Sequence, residues 1–382
     1  MLTSGKTSLE NELSLYFHIP FCTKKCSYCH FYVIPDKEPF KKQLLEGLKL
    51  EWERVLPELL GKDIITIYFG GGTPSLIGPE AIATILSWVY ASFPKAAEVT
   101  LEANPENMSI ELMKAYADAG INRVSIGIQT LDNQILKMLG RLHSGEKAIE
   151  AVYQTIEGGI NNITIDLMYD LPNQTVTTWE NTLSRVVELP ITHLSLYNLT
   201  IEPHTTFYKQ QESLKKIIPN EDDSLRMYEM AIEILSSKLE QYEISAFAKP
   251  GLHSRHNVGY WVGRPFWGFG PSAFSYFANK RFRNVANLSK YHKALLAGES
   301  PIDYSEELEP LSRLRELLAI NLRLMKGVDL NSFQTKHGVL DVLTLKSIET
   351  LLDQELLVQD QHTLKLSKRG VLFYDTVAVE II

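Results

Sequence analysis

Three cysteines, Cys22, Cys26 and Cys29, stand close together in the segment HIPFCTKKCSYCHF, and the chain of 382 residues has no others. A disulfide framework needs dispersed cysteines in even number, which this chain lacks. Three thiolates on one short loop can instead hold three corners of an iron–sulfur cluster, leaving one iron open to chemistry. Two other readings remain open on these residues alone. His18 and His30 flank the thiols, and zinc accepts both Cys and His; cysteines can also serve as small buried hydrophobes. The position of the loop, directly after an apolar strand-like run, favours the cluster.

A second loop, Phe69-Gly70-Gly71-Gly72-Thr73-Pro74, follows the next apolar run. Its glycines allow backbone N–H groups to approach a ligand, and Pro74 fixes the exit. It lacks the GK[ST] ending of a nucleotide-phosphate loop and suits a small polar ligand such as the amino group of an amino acid. Further polar residues fall at or near later strand ends: Glu102, Gln129, Arg141 in GRLH, and Asp166 within the fifth run. Each alone reads as a structural polar group. At a shared rim, the carboxylates and amide suit ribose hydroxyls, and the arginine suits a carboxylate.

The elements that must position these residues alternate. Apolar, β-rich runs at 13–19, 64–69, 98–103, 123–128, 162–168 and 193–199 predict strands. Segments at 40–60, 79–92, 109–119, 145–157 and 177–189 carry helical spacing. Alternation of this kind predicts an α/β fold of parallel strands with crossover helices, and six units suggest a partial (β/α)6 barrel. In such folds chemistry gathers at the C-terminal rim of the strands, where the cysteine loop falls. A helix is expected at 222–239. The stretch 248–282 is rich in glycine and aromatic residues and reads as irregular structure or short strands. Beyond Gly298-Glu299-Ser300-Pro301, helices at 308–324 and 342–352 and a hairpin at 356–366, with Gln361-His362 at its turn, predict a small winged-helix-like domain. The expected division is 1–299 for the barrel, including an aromatic extension from about 245, and 300–382 for the second domain.

Composition narrows the class. Hydrophobic residues make up 45% and charged residues 22%, ordinary for a globular chain with a sizeable core. The net charge of −8 lacks the footprint of a general nucleic-acid binder. No apolar run approaches a membrane span, and MLTSGKTSLENEL lacks an apolar signal core. With clustered reduced thiols, this predicts a cytoplasmic protein.

With FHIPFCTKKCSYC, GGGTPS, Glu102, Gln129, Arg141 and six strand–helix units in place, the chain resembles the radical S-adenosylmethionine (SAM) enzymes. More closely, and nearly end to end, it resembles the oxygen-independent coproporphyrinogen oxidase-like group. The resemblance implies a 4Fe-4S cluster on Cys22, Cys26 and Cys29. SAM would chelate the open iron and be cleaved by one electron to methionine and a 5′-deoxyadenosyl radical. It further implies that Tyr16, Tyr28, Gly71, Gly72, Thr73, Glu102, Gln129, Arg141 and Asp166 surround SAM.

Within this group the chain is most similar to the HemW-type heme chaperones. Coproporphyrinogen dehydrogenases usually carry a fourth cysteine where this chain has Phe31, and a longer N-terminal arm. The HemW-type motif HNxxYW is present as His256-Asn257-Val258-Gly259-Tyr260-Trp261. The resemblance implies heme at His256, Asn257, Tyr260 and Trp261. Imidazole is a common axial ligand to heme iron, so His256 is the expected ligand and His253 the local alternative. The chain departs from the family at Phe274, where relatives often have His in the segment GAHS. His30 is expected to lie behind the cluster ligands or at the surface.

The expected partners are heme, a recipient apo-hemoprotein such as a respiratory cytochrome, and an electron donor for the cluster. No nucleic acid is expected. The sequence is compatible with a homodimer and, at most, with peripheral membrane contact. Whether the chain is an enzyme stays open. The rival reading is radical oxidative decarboxylation of coproporphyrinogen III, or another radical SAM reaction.

Overall fold

In the computed structural model, which describes residues 11–382, six parallel strands lie side by side in chain order. They are β1 (Glu12–Ile19), β2 (Asp63–Gly71), β3 (Glu98–Ala103), β4 (Arg123–Gln129), β5 (Asn162–Tyr169) and β6 (His193–Asn198). The helices between them are α1 (Glu38–Leu59), α2 (Pro79–Tyr90), α3 (Ile110–Ala119), α4 (Asn133–Leu139), α5 (Gly145–Glu157) and α6 (Val176–Val186). Residues 1–10, part of the segment on which the short arm and missing signal core were read, lie outside the described residues.

Strand alternation explains the layering. Leu13, Leu15, Phe17 and Ile19 of β1 are fully buried and share a core with Leu44, Leu48 and Trp52 of α1. The intervening Ser14 and Tyr16 face the other way, where Ser14 Oγ accepts from Thr66 Oγ1 and Tyr16 stacks on Tyr68. One face of each strand therefore feeds the helix-covered core, and the other lines a polar interior. The helix α4 escaped the periodicity reading. Seven residues carry too little pattern, although its Asp132 cap and left-handed Gly140 exit mark both ends.

The flanks are richer than the sequence pattern suggests. After α7 (Glu221–Leu235), β7 (Glu240–Glu243) and β8 (Ala246–Ala248) add antiparallel strands beside β6. The aromatic stretch then forms α8 (Arg255–Trp261) and β9 (Phe266–Phe269), and β9 pairs parallel with β1 as a seventh parallel strand. Strands β10 (Phe274–Phe277), β11 (Lys280–Asn284) and β12 (Ile302–Glu307) complete a 12-stranded sheet. Gly268 permits this edge, since a Cβ there would sit 2.1 Å from the Phe274 carbonyl oxygen. The edge is pinned to α1 by Glu51, 3% exposed, which accepts from Gly270 N, Asn284 Nδ2 and Tyr291 Oη.

The remaining chain builds a second core from Leu314, Leu318, Leu322, Ile348, Leu351, Leu364 and Val377. Its elements are α9 (Pro310–Asn321), β13 (Val328–Asp329), α10 (Leu330–His337), α11 (Val342–Asp353), the hairpin β14 (Leu357–Asp360) and β15 (Thr363–Leu366), and α12 (Tyr374–Ile381). Gln361 takes φ 51° at the hairpin turn. Because β12 belongs to the large sheet, the division expected at residue 300 moves to the far side of Glu307. No helix among the described residues is long and apolar enough to cross a membrane.

Candidate iron–sulfur and cofactor site

The cysteine loop leaves the C-terminal end of β1. Phe21–Cys22 pairs in parallel with Ile34–Pro35, which pinches the loop at its base. Its middle is tied down on both sides: Ser27 N donates to Leu139 O, and Phe207 N donates to Ser27 O, each at 2.9 Å. All three thiols are free and partly exposed. Cys22 Sγ lies 3.6 Å from Thr73 Oγ1, and Arg141 Nη1 points at Cys26 Sγ across 3.7 Å. Burial first, and then the neighbouring cysteines, pushes the Cys22 thiol up to about 11, against the pull of Thr73 and Arg141. Burial likewise raises Cys29. Both hold their protons at neutral pH until a cationic centre displaces them. His30 is exposed against Phe31, whose side chain is also exposed.

The glycine loop meets this loop edge to edge, and its glycines serve a purpose other than the one expected. Gly71 N donates to Glu102 Oε2 at 3.1 Å, Gly72 N to Ile19 O at 2.9 Å, and Thr73 N to Phe21 O at 2.7 Å. These N–H groups are therefore spent inside the protein rather than offered to a ligand. A Cβ on Gly72 would lie 2.6 Å from Phe21 O, and one on Gly71 would strike the His18 ring at 2.7 Å. The missing side chains allow two loops to close on each other. His18 locks the joint: its Nε2–H donates to the Tyr32 carbonyl oxygen at 3.2 Å, so Nδ1 accepts from Tyr16 Oη at 3.1 Å. Burial drives His18 down to about 4 and keeps it neutral.

Behind the loops the remaining rim residues converge. Arg141 Nη2 donates to Asn104 Oδ1 at 2.8 Å and to Gly127 O at 2.6 Å, while Asn104 Nδ2 donates to Thr73 Oγ1 at 3.1 Å. Glu102 accepts from Tyr68 Oη at 2.8 Å; burial above all, with Asp166 nearby, raises its carboxyl to about 7. Burial also raises Asp166, which accepts from Ser125 Oγ. A bulge at the end of β4 turns Gln129 into the left-handed region at φ 64°, placing its amide at the same rim. Arg123, 2% exposed, lies beneath and donates to Thr100 and Thr164. Tyr28 packs beside Ile135, Leu139 and Phe207. Sequence reasoning missed Tyr68, Asn104 and Arg123 as members of this site. The only clues were an Asn just after a strand and an Arg opening an otherwise apolar one.

These residues fit a cluster with a polar organic ligand on its open iron. The donor set is three thiols and nothing harder. Gln129 Oε1 and Arg141 Nε are buried without a hydrogen-bond partner, so an acceptor and a donor are left over at the rim.

The HNxxYW segment lies at the opposite end of the barrel from the cysteine loop, at the start of β3. The Ser254 hydroxyl caps α8, and Glu98 at the start of β3 accepts from Arg255 N and His256 N, each at 2.9 Å. His256 is 1% exposed and enters the barrel interior between Thr66 and Tyr260. Thr66 gives its hydroxyl hydrogen to Ser14, so Nδ1–H donates to Thr66 Oγ1 and Nε2 accepts from Tyr260 Oη, both at 2.8 Å. Both ring nitrogens are engaged within the protein. Trp261 is also occupied: the Arg323 guanidinium sits 4.3 Å above its ring and bonds Glu243, docking the second domain. Asn257 is half-buried and supports the Ser254 cap through its N–H. The segment thus closes the barrel floor. At Phe274 the side chain is exposed beneath Arg283.

Comparison with known proteins agrees with this architecture. Residues 16–186 match the radical SAM superfamily, and residues 308–373 match the HemN C-terminal domain. A heme chaperone HemW of Lactococcus lactis is 34% identical over 95% of this chain and 95% of its own length. The chain belongs to the HemW family of radical SAM proteins. The HemW of Bacillus subtilis is 30% identical over 95% of this chain and 97% of its own. A mitochondrial radical SAM domain-containing protein 1 of Danio rerio is 32% identical over 97% and 87%. In fold, this HemW-family chain matches the coproporphyrinogen III oxidase HemN of Escherichia coli with a TM-score of 0.86, covering 98% of this chain and 90% of that one at 23% identity. The partial radical SAM barrel with a small C-terminal domain, expected from the strand–helix alternation, is the architecture of that enzyme.

Proposed function

We propose that the chain is a heme chaperone that carries a 4Fe-4S cluster and SAM, and delivers heme to apo-hemoproteins such as respiratory cytochromes. Cys22, Cys26 and Cys29 would hold the cluster. Tyr16, Tyr28, Gly71, Gly72, Thr73, Glu102, Gln129, Arg141 and Asp166 would surround SAM. A cluster of this kind supplies single electrons to the ligand on its open iron. The protein's own part is to hold that ligand. Arg141 is fixed by Asn104 and Gly127 and keeps Nε free, which suits a carboxylate. Glu102 and Asp166 suit an ammonium group and ribose hydroxyls.

The observation that carries the reading is the near full-length match to heme chaperones, 34% identical over 95% of both chains. Against coproporphyrinogen oxidation stands Phe31, 53% exposed where dehydrogenases usually carry a fourth cysteine. Anaerobic reconstitution followed by parallel heme titration and coproporphyrinogen turnover tests the choice. Stoichiometric heme binding without protoporphyrinogen formation is expected. Turnover with no heme binding would reverse the assignment.

A further inference from the structure

Behind Arg141 lies a buried ion pair to which the cofactor reading gives no part. Glu106 stands on the single helical turn Pro105–Asn107 after β3, and His143 directly precedes the Ser144 cap of α5. The His143 side chain is fully buried and that of Glu106 is 17% exposed. His143 Nδ1 lies 3.3 Å from Glu106 Oε2, and its Nε2 lies 3.2 Å from the Ile128 carbonyl oxygen. A carboxylate and a carbonyl accept without donating, and a neutral imidazole has one N–H. Only the imidazolium, with an N–H on each nitrogen, satisfies both contacts. Glu106 answers as a carboxylate: burial pushes its carboxyl up, but the His143 bond and the Arg141 charge outweigh this and hold it below the usual range. The other charges at the start of α5 are paired elsewhere, Glu146 with Arg185 and Lys147 with Glu150.

The pair reaches the cofactor site through one amide. Glu106 Oε1 accepts from Asn104 Nδ2 at 3.3 Å, which leaves Asn104 Oδ1 turned to Arg141 Nη2 at 2.8 Å. Because a carboxylate can only accept, it fixes which end of the amide faces the guanidinium. Arg141 and His143 also grip consecutive carbonyls of β4, Gly127 O and Ile128 O. Both ends of the segment 141–143 are thereby clamped to the sheet, while Arg141 Nε stays buried without a partner.

We propose that Glu106 and protonated His143 are positioning residues that hold Arg141 in place for the carboxylate of SAM, and that the clamp loosens when His143 gives up its proton. The inference rests on the reading of Arg141 as the partner of that carboxylate and names the groups that keep it there. Loss of the proton takes one N–H from the ring. Either Ile128 O or Glu106 then loses its donor, and a buried acceptor left unsatisfied favours a shifted segment. Neutralising Glu106 frees the Asn104 amide to turn its NH2 toward the guanidinium, where donor opposes donor.

Equilibrium dialysis of the anaerobically reconstituted full chain against SAM, from pH 6 to pH 9, tests the pair. Each variant is read as its ratio to wild type, which cancels the titration of the amino group of SAM itself. His143→Gln keeps an N–H and carries no charge. Its SAM affinity should fall about fivefold at pH 6, the size of one hydrogen bond, and come within about twofold of wild type at pH 9. Glu106→Gln should also lose about fivefold at pH 6, with cluster iron retained. Binding of 5′-methylthioadenosine, which lacks the amino-acid end, should stay at the wild-type level in both variants. Ratios near one at every pH overturn the positioning role. A loss that is independent of pH, or shared by methylthioadenosine, makes the pair merely structural and overturns it equally. Wild-type protein that binds no SAM overturns the reading of Arg141 as well.

Discussion

Arg141 Nη2 lies 2.8 Å from the carboxamide oxygen of Asn104, and through this bond the arginine beside Cys26 is held by the residue that also bonds Thr73 beside Cys22. One amide therefore spans both sides of the cysteine loop. Asn104→Ala should leave the fold intact and free Arg141 and Thr73 to move. SAM affinity is expected to fall about tenfold, the equivalent of ~1.4 kcal/mol, with cluster iron largely retained. Equilibrium dialysis with reconstituted protein reads the first quantity and iron analysis the second. Unchanged SAM affinity would remove Asn104 from the site.

Cys22 sits at the strand-pinched base of its loop and is half-exposed, so truncation there removes a ligand without opening the core. Cys22→Ala should abolish the brown absorbance of the reconstituted cluster and shift the thermal midpoint little. Stoichiometric cluster iron in that variant would refute the ligand assignment.

The floor histidine predicts the opposite pattern. His256→Ala strips two buried hydrogen bonds and leaves a void above α8. A loss of about 2–4 kcal/mol in unfolding free energy is expected, seen as a lower urea midpoint. His256→Gln can restore one bond and should recover part of the loss. A wild-type midpoint in the alanine variant would show that the floor does not depend on this ring.

Glu51 supplies a pH signature. Burial raises its carboxyl to about 7, against the opposing bonds from Tyr291, Gly270 and Asn284. In the unfolded chain it ionises near ~4.3. Between those values the unfolded state binds fewer protons than the native one, so this group's contribution to stability declines as pH rises from about 4 to 7 and is flat above. Glu51→Gln cannot ionise and lacks that decline. Its destabilisation relative to wild type should therefore be larger at pH 5 than at pH 8, by up to about 3 kcal/mol. Urea titrations at both values test this; an equal difference would mean Glu51 is ionised throughout.

By itself the sequence determined the six strand–helix units and the place of the three cysteines. Period-two and period-3.6 patterning is local, and a loop that follows a parallel strand must emerge at the rim. Family likeness, carried by contiguous motifs such as CxxxCxxC and HNxxYW, was legible for the same reason. Only the tertiary structure decided which groups meet and which are spent. Asn104 reaches Arg141 across 37 positions, and Thr66 reaches His256 across 190. No local pattern encodes such pairs. The seventh strand, β9, was hidden because its partner β1 lies some 250 residues earlier. For His256 the motif was readable but its state was not. Burial and the two hydroxyls that bond its nitrogens arise only when α8 closes the barrel floor.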